Sequence, residues 1–187
     1  MATFTPQNLT ITLNMKQLLL LTFALVCSVV SAQEHEHMSF MGIKMGVPVT
    51  EFVDLIKEKR PDLKFVSVND SSATIHGKFY KIDECNIYVK SDSTGNVNSV
   101  QVSTTSSYLY RYELASLKQA YDGKYGEGVI IDGSVQVKVR WITDGGLIQS
   151  STLKKLDYTT IDYFDYQKAI EILQNDIDKQ NSENDDL

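Results

Sequence analysis

Between residues 135 and 142 the side chains follow a period of two. Val135, Val137, Val139 and Trp141 stand on one side; Gln136, Lys138, Arg140 and Ile142 stand on the other. Successive strand residues point to opposite faces of a sheet, so this run predicts a strand with one face buried. The same period recurs at 73–80, where Ala73, Ile75, Gly77 and Phe79 oppose Thr74, His76, Lys78 and Tyr80. It recurs again where Cys85, Ile87 and Val89 alternate with Glu84, Asn86, Tyr88 and Lys90. Turn signals punctuate these runs: Asn69-Asp70-Ser71-Ser72, Asp92-Ser93-Thr94-Gly95-Asn96 and Asp144-Gly145-Gly146. With further strands over 64–68, around Val100 and Val102, over 147–153 and over 158–164, the total is about eight. Strands that follow one another without a long crossover pair antiparallel.

Three segments carry a helical period instead. Phe52, Leu55 and Ile56 form a stripe behind Thr50, a hydroxyl able to cap, and Glu51, an acid in the first turn. Pro61 disfavours helical geometry at Arg60 and predicts an end near Lys59. Over 108–125, Tyr110, Leu114, Leu117 and Tyr121 share a face, Lys124 suits the negative helix end, and Gly126 closes it. A last helix over 165–179 sets Tyr166, Ile170, Leu173 and Ile177 on one side. The fold class predicted is α+β: a single domain over 41–179 made of two helix-plus-antiparallel-strand units, 41–105 and 106–165, plus a C-terminal helix. Residues 180–187 (QNSENDDL) read as a disordered acidic tail.

Upstream, residues 15–32 (MKQLLLLTFALVCSVVSA) place Lys16 before an apolar run of 13 residues, 18–30, which ends in Ser31-Ala32. That is the tripartite pattern of a secretory signal peptide with cleavage between Ala32 and Gln33. A transmembrane helix needs about 20 apolar residues, and Val26 stands where a lipid-anchor motif at Cys27 wants a small residue. Residues 1–14 add no charge and read as an upstream start-site extension. Export implies a periplasmic or extracellular destination, with 33–40 as a short N-terminal segment. The chain after Ala32 keeps 17 of the 18 basic residues and all 24 acidic ones, a net charge of −7. Cys85 is then its only thiol, so no internal disulfide forms. An acidic balance without a basic cluster excludes nucleic acid as a partner.

Individual chemistries find little support. His76 with Cys85 is the sole thiol–imidazole pair, and no nucleophile elbow, phosphate loop or dinucleotide fingerprint is present. Asp83, Glu84, Asp157, Asp162 and Asp165 are candidates, by residue type alone, for a carboxylate-dependent hydrolase acting on envelope glycan. Counted from Asp92, a calcium loop fails because Val97 replaces the sixth-position Gly and Ser103 the twelfth-position acid. His35 and His37 offer a weak alternative. With a free amine at Gln33 and two deprotonated amides, the imidazole of His35 completes four nitrogens suited to Cu(II) or Ni(II). Tyr80, Tyr88, Tyr108, Tyr110 and Tyr112 are candidate binding residues, because exposed tyrosine offers apolar area and a hydroxyl together.

The segments His37-Met38-Ser39-Phe40-Met41-Gly42-Ile43 and Pro48-Val49-Thr50-Glu51-Phe52, with Lys124-Tyr125-Gly126 and the hairpin Asp92…Thr94-Gly95, resemble a group of small secreted Bacteroidetes proteins. The resemblance implies export and tandem helix-plus-sheet repeats similar to the β-lactamase-inhibitor type of fold, which envelope proteins use to bind other proteins. It carries over no catalytic residue, and Glu127-Gly128 stands where that group often has Pro. The expectation is a non-enzymatic binding module for an envelope or extracellular protein or glycan, without a cofactor and without a transmembrane segment after cleavage.

Overall fold

A computed structural model describes residues 35–104, 110–153 and 158–185, without the side chains of 110–115 and 180–185. Among the described residues three helices and ten strands run in the order β1 (Ser39–Phe40), β2 (Ile43–Lys44), α1 (Val49–Lys59), β3 (Lys64–Val68), β4 (Ser72–Phe79), β5 (Ile82–Ser91), β6 (Val97–Thr104), α2 (Tyr110–Tyr125), β7 (Val129–Asp132), β8 (Gln136–Thr143), β9 (Gly146–Leu153), β10 (Tyr158–Asp165) and α3 (Tyr166–Asp185). The small pair β1–β2 is a hairpin, and the other eight strands form one antiparallel sheet ordered β3-β4-β5-β6-β10-β9-β8-β7. Each helix α1 and α2 is thus followed by a four-strand meander. The two meanders meet through their last strands, β6 and β10. The predicted α+β class with two such units and a C-terminal helix is what the chain adopts.

Register explains how the core fills. One row runs Ile75, Ile87, Val102, Ile161 across β4, β5, β6 and β10; the next runs Val89, Val100, Tyr163, Ile148, Trp141 into the second meander. These residues lie on one face, where Phe52, Val53 and Ile56 of α1, Phe40 of the hairpin and Leu117 of α2 join the same core. Burying each large apolar side chain contributes about 1.5–3 kcal/mol. The opposite face is polar over β4–β6 (Thr74, His76, Asn86, Tyr88, Gln101). On β8, Arg140 of this face reaches across to Asp176 of α3, 2.5 Å away.

Several local expectations shift. Helix α1 starts at Val49, which is buried, with Pro48 at its cap and no side-chain cap bond; Thr50 lies exposed inside the first turn. Its inward stripe is Val49, Phe52, Val53 and Ile56, leaving Leu55 at the rim. The helix ends on schedule, with Arg60 N–H donating to the Ile56 carbonyl at 2.8 Å before Pro61. Helix α3 turns Ala169 and the Asp176 side inward, so Ile170 and Ile177 are exposed rather than part of the stripe. It also continues to Asp185, through most of the segment expected to be a disordered tail. No Pro or Gly interrupts that segment, so nothing in it breaks a helix already started. Strands β1, β2 and β7 are additional to those the alternation predicts. Among the described residues no helix is long and apolar enough to cross a membrane.

Candidate functional site

Two tight turns converge on one groove. The β1–β2 hairpin turns through Met41 and Gly42, with φ of 53° and 73°, and β4 turns into β5 at Tyr80, with φ of 54°. Positive φ at both central positions is the geometry of the two-residue hairpin turn that Asn-Gly ordinarily supplies. Here Met takes the first position, which costs about 1–2 kcal/mol for a side chain with a Cβ. Among the described residues Met41 and Tyr80 are the two non-glycine residues with positive φ, and both line the same cavity of about 340 Å³.

The rest of that cavity comes from α2 and the sheet. Leu117, Ala120, Tyr121, Lys124 and Tyr125 form one wall, Phe79 and Tyr163 the floor, and Arg60 one end. The aromatic rings brace one another edge to face. Tyr121 lies 5.1 Å from Trp141 and 5.9 Å from Tyr125, centroid to centroid, and Phe40 lies 5.0 Å from Tyr163. The hydroxyls of Tyr121 and Tyr163 hydrogen-bond to each other. Burial pushes both phenols above their ordinary pKa, most strongly Tyr163, so both stay protonated. Whichever hydroxyl donates in the pair, the other keeps a proton to offer.

Asp122 fixes the wall from behind. Its carboxylate accepts from Trp141 Nε1–H at 2.9 Å, from Gly128 N–H at 3.0 Å and from Lys118 at 2.5 Å. A Cβ at Gly128 would come within 2.7 Å of the Trp141 ring, so only glycine lets this backbone approach it. The charged side chains lining the groove are both cations, Arg60 and Lys124. Lys124 sits 4.8 Å over the Tyr125 ring, and Lys81 sits 5.5 Å over Tyr80 at the rim. Arg60 is forked onto Asp62 at 2.8 and 2.7 Å and also donates to the Lys78 carbonyl. Lys59 donates to the carbonyls of Met41 and Gly42, tying the hairpin turn to the end of α1.

Of the tyrosines expected to bind, Tyr80 enters the groove. Tyr88 lies on the opposite, polar face, paired with Thr74 and Gln101. Tyr110 and Tyr112 fall in the first turns of α2, and Tyr108, with the side chains of those two, is outside the described residues. The alternation and stripe arguments did not mark Tyr125 or Phe79 as site residues, and Tyr163 gains its place only through the pairing of β10 with β6 and β9.

The chain matches no family model, no curated protein and no solved structure.

The remaining candidates are dispersed. His76 shares a hydrogen bond of 3.1 Å with Asn86, its cross-strand neighbour. Cys85, adjacent to Asn86, points to the opposite face and is fully buried, so thiol and imidazole do not meet. Asp162 and Asp165, three residues apart on β10, likewise face opposite sides. Asp162 accepts from Gln101 at 2.6 Å and from Thr160 at 3.0 Å. Asp165 holds His37 Nδ1 at 2.7 Å and the Met38 N–H at 2.8 Å. Asp83 is an exposed partner of Lys78, Glu84 is exposed, and Asp157 is outside the described residues. A second cavity, about 480 Å³, is lined by Asp92, Asp165 and Glu171. Asp92 there accepts from the backbone of Thr94 and Asn96, as a turn-forming residue does, and Glu171 pairs with Lys168.

The N-terminal segment is docked. His35 stacks on Tyr166 with centroids 3.6 Å apart, and a Cβ at Gly46 would meet the His37 ring at 2.4 Å. The two imidazoles therefore have separate protein partners, while Ala32 and Gln33 lie outside the described residues. Among the described residues no group of three or more His, Cys, Asp or Glu side chains is placed to hold a metal ion.

Proposed function

We propose that this chain is an exported, non-enzymatic binding module, acting in the periplasm or outside the cell, that seats an acidic segment of an envelope protein or glycan in the aromatic groove. The observation carrying the reading is that the two strained non-glycine turns among the described residues, at Met41 and Tyr80, border a cavity whose charged lining is cationic. Backbone strain of this kind persists where the surrounding structure over-determines it, and it collects at ligand clamps. In a chain of net charge −6, Lys124 in the groove, beside Arg60 that is already paired with Asp62, favours a negatively charged ligand over the rest of the surface. The braced rings of Tyr121 and Tyr125, with the exposed ring of Tyr80 at the rim, offer flat apolar faces at small entropic cost, suited to a sugar ring or an extended peptide. The leader pattern at 15–32 and the resemblance to small secreted Bacteroidetes proteins support export.

The test is a titration of acidic glycans and acidic peptides followed by Trp141 fluorescence, since that indole lies against Tyr121 behind the wall. Binding is expected for at least one acidic ligand, and Tyr80→Ala and Tyr125→Ala should each weaken it about tenfold or more. Equal affinity in the parent and both variants would overturn the assignment of the groove.

A further inference from the structure

The large sheet has two open ends, β3 and β7, and only one of them is guarded. Strand β3 begins with Lys64 and carries a bulge between Phe65 and Ser67, devices that discourage another strand from adding on. Strand β7 reads Val129-Ile130-Ile131-Asp132, has no basic residue and no bulge, and among the described residues pairs only with β8. Val129 and Ile130 are each 61% exposed and Ile131 40%, so β7 is apolar and open on both faces. Val135, in the turn after β7, and Ile142, on the neighbouring β8, are also exposed.

We propose that β7 is a self-association edge, on which a second copy of this chain pairs its own β7 antiparallel about a twofold axis at Ile130. Symmetry and the pleat leave few choices. With the axis perpendicular to the sheet, residues opposite each other must share a face, so the axis must pass through a residue pair rather than between two. Centred on Ile130, the pairing sets Ile130 against its own copy, Val129 against Ile131, and Asp132 against Gly128. Every large side chain then meets an apolar one, and the two Asp132 carboxylates face glycine instead of each other. Centred on Ile131, the same strand would set Asp132 against Ile130 and Val129 against Gly133; centred on Val129, it would set Ile131 against Glu127. Only the first register is free of such mismatches. The edge is therefore self-complementary in one register, which is what selects a second copy as its occupant.

Two copies each of net charge −6 repel at a distance, while the contact itself is apolar. Added salt should consequently tighten the dimer rather than loosen it. Sedimentation equilibrium of the purified protein across concentration and ionic strength tests this. The expected result is a monomer–dimer equilibrium that shifts toward dimer with salt. Ile130→Lys, which places two ammonium groups against each other on the axis, should abolish the dimer while leaving the far-ultraviolet circular dichroism unchanged, whereas Ile130→Leu should retain it. A parent that remains monomeric up to millimolar concentration overturns the proposal, as does a dimer that survives Ile130→Lys. So would a monomer that instead captures an extended foreign peptide along β7. No groove residue is altered, so the outcome is separable from that of the ligand titration.

Discussion

Asp122 and Asp162 are both carboxylates held by neighbouring side chains, yet the protein shifts them in opposite directions. The hydrogen bond from Lys118, followed by those from Trp141 and the Gly128 amide, holds Asp122 down from 3.8 to about 2. Its stabilising contribution is therefore complete above its ordinary pKa and is lost as pH falls from 3.8 toward 2. Asp122→Asn should remove that acid limb and lower the thermal midpoint at neutral pH, both readable from Trp141 fluorescence. Asp162 is raised instead, because burial outweighs the bonds from Gln101 and Thr160. With its folded pKa above 3.8, Asp162 favours the native state at low pH and loses that contribution as pH rises through the raised value. Asp162→Asn preserves the hydrogen-bonding shape without the buried charge. Its stability at neutral pH should lie within about 1 kcal/mol of the parent or above it, and the gain on mild acidification should be absent. In the sequence both are ordinary aspartates, save that Lys118 stands four residues before Asp122; the distinction arises from Trp141 and Gly128 meeting Asp122 at the end of α2, and from the burial of Asp162 inside the sheet.

The elements themselves were more legible than their surroundings. Alternation located β4, β5 and β8, Pro61 stopped α1, and Gly126, with φ of 86° and its N–H on the Asp122 carbonyl, closed α2 where glycine predicted. What escaped was of two kinds. Strand β7 is exposed on both faces and so writes no period of two; four apolar and acidic residues between glycines look like a loop until a neighbour is there to pair with them. The inward face of α1 kept Phe52 and Ile56 but took in Val49 and Val53 in place of Leu55, and that of α3 moved by a residue, because burial follows contacts such as Asp176 on Arg140, and no local pattern encodes these. The groove was invisible for the same reason. Its lining comes from residues 39–42, 60, 79–80, 117–125 and 163, five stretches that only sheet register and the seating of α1 and α2 bring together.

On the scale of the whole molecule, the seam between β6 and β10 is the one pairing in the large sheet that joins distant parts of the chain. Ile161 and Tyr163 cross it to meet Val102 and Val100, all of them in the shared core. Ile161→Ala should cost about 2–5 kcal/mol. Because this residue of the second meander packs across the seam onto Val102 of the first, denaturation followed by Trp141 fluorescence and by far-ultraviolet circular dichroism should still coincide in a single transition at lower denaturant.

Every other strand in the large sheet hydrogen-bonds to the one before or after it in sequence. Local pairing of this kind forms quickly, since little loop entropy is spent before contacts are made. The first four strands have all but one of their partnerships as soon as they emerge. Among the described residues β10 follows every other strand, and its pairing with β6 closes the longest loop in the large sheet, so the joining of the two meanders is expected to be slower than pairing within either.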